Sequence, residues 1–306
     1  MNPKPCMSPA PCHPLDAVEI VGISASRDLP PLKHAIIHNV IRQGGKLILT
    51  GDSKAGKTFL LIELATALAF GREWCGLRCE ESTVLYVNLE LEEAEFLHRF
   101  RGVLDKLGII KEIPSERIGI LNARGKAANA KELTDALLGR LEANSYDTVI
   151  IDPIYKVQDG DENSAQSITS LVRELDRLAE EAGCTIIYSH HHPKRVPMGI
   201  ASINRSAGSG VFGRDADASI DLVELNADDG SGGSDKAFRM EFDLRSFRWH
   251  PPVNIWFKDG LHLVDETGTL DDCGYAVGRG SSERRAAGKS AKQAQIQNAL
   301  DALMGH

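Results

Sequence analysis

The stretch that most constrains this chain is Gly51-Asp52-Ser53-Lys54-Ala55-Gly56-Lys57-Thr58, two glycines four residues apart, followed by Lys and Thr. Such spacing suits a loop that wraps phosphate, because the glycines let the backbone turn tightly and aim successive N–H groups inward. Lys57 supplies a flexible charge for the β- and γ-phosphates, and the Thr58 hydroxyl supplies a ligand for Mg²⁺. A helix beginning near Thr58 adds the positive end of its dipole. The flanking residues agree: 46–50 reads as a short buried strand, 59–70 as a nearly all-apolar core helix, and Gly71 as its C-terminal stop. A plain glycine turn would need neither flank. Residues 51–59, Gly51 through Phe59, are therefore expected to hold a nucleotide, with Lys57 a solvent-facing charge when the loop holds none.

A length of 306 residues accommodates one large α/β domain or two small ones. No apolar run is long enough to span a bilayer and the start is no secretory signal, so a cytoplasmic protein is expected. Its six cysteines are scattered, and neither Cys6, Cys12 and His13 nor Cys75 and Cys79 has a second pair at zinc-finger spacing. Free thiols in a reducing compartment fit better. The net charge of −8 argues against a surface that coats duplex DNA but permits a local basic groove. Residues 1–29 read as a flexible Pro-rich arm, 30–270 as the main domain, and 271–306 as a linker with a short helix over 291–303.

Within the main domain the pattern alternates between strand and helix. A helix is expected over 32–41, then a Gln43-Gly44-Gly45 turn into the loop strand. A polar connection over 72–82 leads to a strand at 84–88. The next helix carries Phe96, Phe100, Val103 and Leu107 on one face and stops at Gly108. Glu90 stands at the strand end before that helix, where a carboxylate faces a γ-phosphate and orients a water. Glu92 and Glu93, by contrast, are where acidic residues merely complement a helix dipole.

A short strand at 118–121 and a helix at 131–143 precede Thr148-Val149-Ile150-Ile151-Asp152, an apolar strand ending in a carboxylate suited to the Mg²⁺ shell. A polar loop at 153–164, an amphipathic helix at 165–182 and a strand at 184–189 lead to His190-His191-His192. Neighbours in an extended chain point to opposite faces, so the histidines suit a hydrogen bond to the terminal phosphate better than a zinc site; a histidine simply satisfied at a strand end is the plain alternative. The loop at 193–210 carries Lys194, Arg195 and Arg205, which either meet a nucleic-acid backbone or are solvated. Strands at 219–225, 237–244, 253–257 and 261–264 follow, the last two flanking an Asp259-Gly260 hairpin signal.

Together these residues make the chain resemble the RecA-like ATPases of the wider AAA ATPases, and most of all the RepA-type hexameric replicative helicases of plasmids and phages. The resemblance runs from about 30 to about 264. It rests on the 51–58 loop, Tyr86-Val87-Asn88-Leu89-Glu90, Asp152, His190-His191, and Arg205-Ser206-Ala207-Gly208-Ser209-Gly210 followed by Asp217-Ala218-Ser219-Ile220. It implies an α/β fold, a mainly parallel twisted sheet flanked by helices, with a C-terminal antiparallel β extension. It also implies ATP and Mg²⁺ as ligands, single-stranded DNA as partner, and a hexameric ring in which a neighbour supplies an arginine to the ATP. By position, Glu90 becomes the catalytic base, Asp152 the Mg²⁺ carboxylate and His190 the γ-phosphate sensor. The family's finger arginine falls near Asp217, which cannot serve; Arg214, Arg245 and Arg248 are the substitutes. A recombination or loader ATPase of the same fold, and a nucleotide-gated DNA-binding regulator with little turnover, are the rival readings.

Overall fold

The computed structural model describes residues 18, 21–22, 28–109, 117–142, 145–158, 164–191, 211–227 and 235–276. The described residues from His34 to Ala276 form one compact unit. Its centre is a nine-stranded sheet. The parallel part is built from β3 (Lys46–Gly51), β6 (Val84–Asn88), β7 (Ile118–Asn122), β8 (Thr148–Asp152), β9 (Thr185–His191) and β10 (Ala218–Leu225). Their spatial order is β10-β3-β9-β8-β6-β7, all parallel. Strands β11 (Lys236–Leu244), β12 (Val253–Lys258) and β13 (Leu261–Val264) extend the β10 edge antiparallel. The expected fold class is thus the observed one: a mixed, mostly parallel sheet between helices with an antiparallel C-terminal extension.

Most of the parallel strands are apolar throughout because helices cover both faces. On one face lie α1 (Lys57–Phe70) and α2 (Glu93–Lys106), packed on Leu47, Leu49, Tyr86, Ile150 and Ile187. On the other lie α3 (Ala130–Leu138), α4 (Ala165–Ala182) and the short α5 (Val211–Asp215), over Ile48, Val87, Ile151, Ile186 and Tyr188. Adjacent strand residues therefore serve opposite layers, a fact the site below depends on. No described helix is long and apolar enough to cross a membrane.

Several local expectations are corrected. Residues 32–41 are not helical; β1 (Ala35–Ile37) and β2 (Ile41–Arg42) form a hairpin that turns through Asn39 at φ 59°. Ile36, Ile37, Val40 and Ile41 would line one side of a helix, but the chain bonds outward instead, His38 N to Arg78 O and Glu80 N to Ile36 O, each 2.9 Å. Their partner is a second hairpin, β4 (Glu73–Trp74) and β5 (Leu77–Arg78), inside the supposed polar connection. Trp74 is buried there and its indole N–H donates to Leu60 O at 3.0 Å.

Leu107 lies past the end of α2 and is 40% exposed; Leu104 takes the core position. Helix α3 stops at Leu138 rather than 143. The loop at 153–164 opens with a 3-10 turn, Ile154–Val157, whose two ends are buried. Chain order past 264 also matters: Leu270 is fully buried and Tyr275 bridges to Leu225. The arm over 1–17, the 193–210 loop and the helix expected at 291–303 lie outside the described residues.

Candidate active site

Strand β3 delivers the phosphate loop to the carboxyl edge of the sheet. The loop needs both its glycines. A side chain on Gly51 would stand 3.0 Å from the Leu222 carbonyl on the neighbouring β10, and Gly56 sits at φ 83°, with His262 Nε2 3.2 Å from where its Cβ would be. Helix α1 then starts at Lys57 with no side-chain cap and no acidic residue in its first turn. Helices α2, α3 and α4 each cap themselves, through Glu92, Asn129 and Ser164. The first N–H groups of α1 are thus left to an external acceptor, and an anion is the natural one. Glu92 accepts from Glu95 N at 3.1 Å, the dipole-complementing role expected of it.

Lys57 is not the solvent-facing charge expected. Only 6% of it is exposed, and its ammonium donates to the Gly51 and Asp52 carbonyls at 2.8 Å each and lies 3.1 Å from His191 Nδ1. Burial lowers its pKa to about 8, against the opposing pull of Asp152, Asp52, Glu90 and Asp221. The head group is pre-placed with all three donors engaged by neutral acceptors, so an anionic phosphate offers the compensation for burial that those acceptors do not.

A cavity of about 410 Å³ gathers Ser53 through Phe59 with Glu90, Arg99, Asp152, Ser189, His191 and Phe257. Topology explains the company. Strand β9 lies between β3 and β8, and β6 lies on the far side of β8, so the ends of four strands meet there. Side-chain parity then selects which residues face the loop. Asp152 shares the Ile150 face, and Ser189 and His191 share the Ile187 face, which is the layer that α1 occupies. Asp152, buried, accepts from Tyr86 Oη at 2.8 Å and from the Ser189 hydroxyl. Burial pushes the Tyr86 phenol well up, so it remains a donor.

Parity also separates the two histidines, and His190, the sensor expected, is on the side away from the phosphate loop. His190 faces the opposite layer, its ring 4.8 Å from that of Phe212 and its Nδ1 2.7 Å from the His191 carbonyl. His191, not His190, is the imidazole the structure brings to Lys57. Glu90 is half-exposed in the cavity; Tyr155 Oη donates to its Oε1 at 3.0 Å and Lys156 Nζ lies 4.0 Å away. Arg245 and Arg248 do not line the cavity. Arg245 pairs with Asp217 at 3.5 Å and donates to the Arg214 carbonyl; Arg248 is exposed. Lys194, Arg195 and Arg205 lie outside the described residues. Sequence reasoning missed Arg99, Tyr155, Ser189 and Phe257, and named Tyr86 only as part of the motif that ends in Glu90. Ser189 left a signal, its place in phase with His191.

Phosphate loop, buried carboxylate and strand-end glutamate on a parallel sheet define a P-loop ATPase of RecA-like fold. The comparisons agree. The chain belongs to the AAA domain family, whose profile matches residues 9–196, more than half of its length. Among solved structures, one isolated ATPase domain superposes with a TM-score of 0.53 at 15% identity, over 72% of this chain and 85% of that one. The KaiC-like protein PH0186 of Pyrococcus horikoshii OT3 superposes with a TM-score of 0.52 at 16% identity, over 75% of this chain and 93% of that one.

Proposed function

We propose that this ATPase uses Mg²⁺-ATP to move on single-stranded DNA as a ring of identical subunits, hexameric by resemblance, in replication of a plasmid, phage or other mobile element. The observation that carries the reading is one cavity that holds Lys57, Thr58, Glu90, Asp152 and His191 together at the ends of parallel strands. The loop amides and Lys57 bind the phosphates. Thr58 and Asp152 offer the hard oxygens that would hold Mg²⁺, which when bound would supply charge neutralisation for the phosphates. Glu90 orients and deprotonates the attacking water. Arg245 and Arg248 lie off the cavity of their own subunit, which suits residues that complete the site of a neighbour.

The test is ATP turnover with and without single-stranded DNA, alongside light scattering. Stimulation by single-stranded DNA, with a mass of several subunits in Mg²⁺-ATP, is expected for a translocating ring. Turnover indifferent to DNA in a monomer overturns the translocase and leaves a plain ATPase.

A further inference from the structure

Tyr155 is not among the residues that line the phosphate-loop cavity, yet it touches two that are, Glu90 and His191. It sits in the 3-10 turn directly after β8, the strand between β6 and β9. That turn must cross in front of both flanking strand ends, and those ends carry Glu90 and His191. The phenol oxygen donates to Glu90 Oε1 at 3.0 Å. The ring itself rests on the His191 imidazole, centroids 5.1 Å apart and planes tilted by 53°. His191 in turn accepts from the Lys57 ammonium at 3.1 Å. An unbroken chain of contacts therefore runs from the P-loop lysine through an imidazole and a phenol to the glutamate.

Lys57 cannot serve its two loop carbonyls, His191 and a phosphate at full strength together, since an ammonium has three N–H donors. Phosphate binding therefore changes what His191 meets on one side while Tyr155 holds its other. We propose that Tyr155 is a positioning residue for hydrolysis: its hydroxyl sets the orientation of the Glu90 carboxylate and its ring ties that orientation to the imidazole that reads the phosphate. The hydroxyl occupies one oxygen of Glu90 and leaves the other for water. Burial, opposed by the hydrogen-bonding Lys156 ammonium and aided by the Glu90 carboxylate, raises the Tyr155 pKa, which keeps the phenol a donor in support of this geometry. The inference rests on Glu90 as the base.

Single-turnover ATPase with ATP-binding calorimetry tests it. Tyr155→Phe keeps the ring on His191 and removes only the donor. The expected result is a fall in kcat of about tenfold, the scale of one charge-assisted hydrogen bond, with KM and ATP affinity unchanged within about twofold. In a Glu90→Gln background the same change is expected to cost nothing further, because the hydroxyl acts through the carboxylate. Tyr155→Leu, which also removes the ring contact, is expected to narrow the preference for ATP over ADP. A normal kcat for Tyr155→Phe, or an equal loss in the Glu90→Gln background, overturns the inference alone. Normal hydrolysis by Glu90→Gln itself removes the glutamate reading beneath it.

Discussion

At the scale of the residue, Lys57 shows what burial does to a charge. Its pKa of about 8 in the folded chain lies below the 10.5 of the unfolded one. Between those values the unfolded chain holds more protons, so stability rises with pH across that window; below pH 8 the fold carries the whole cost. That cost is on the order of 3 kcal/mol. Lys57→Met keeps the volume and removes the charge. It is expected to equal or exceed the wild type in urea stability at pH 7, with the difference shrinking towards pH 10, while ATP binding is lost. Undiminished ATP affinity in calorimetry would mean that the loop does not bind phosphate as described.

At the scale of the element, the C-terminal hairpin supports the phosphate loop from below. The His262 side chain on β13 is fully buried; its Nδ1 and its backbone N both meet Glu63 Oε1 of α1, at 2.9 and 3.1 Å. Its other nitrogen lies against Gly56, at the start of α1. Desolvation raises the Glu63 pKa, with His262 opposing. Removing the imidazole leaves Glu63 buried with only the backbone N–H of residue 262 as donor. His262→Ala is therefore expected to cost about 1–3 kcal/mol in urea unfolding and to weaken ATP binding. Val264→Ala, on the same strand but partly exposed, is expected to stay within about 0.5 kcal/mol. Equal effects of the two would mean that the hairpin is no support for the loop.

At the scale of the whole molecule, the question is what the ATP drives. An acidic chain that binds single strands must do so through a local concentration of cations, and Lys194, Arg195 and Arg205 are the proposed source. Each phosphate contact made contributes a slope of about −0.7 in log affinity against log salt. Changing all three residues to Ala is expected to flatten that slope and uncouple turnover from DNA, with basal hydrolysis retained. Titrations of labelled oligonucleotide at several salt concentrations measure it. Identical slopes would direct the search to other residues and favour a nucleotide-gated regulator.

The sequence alone was sufficient wherever the information is local. The phosphate loop, its strand and helix, the carboxylate ending β8 and the Asp259-Gly260 turn, at φ 46° and 75°, are all short-range patterns of glycine, charge and apolar period. The helix expected over 32–41 gives way to a hairpin because four apolar residues suit both equally, and hydrogen bonds to 78–80 chose between them. Likewise, alternation along β9 separates His190 from His191 without saying which face belongs to α1. Strand order decided that. It set β9 between β3 and β8, turned His191 to Lys57, and placed the Tyr155 turn across two strand ends that are 65 and 36 residues away in the chain. Contacts of that span depend on how the layers pack, which no window of sequence contains.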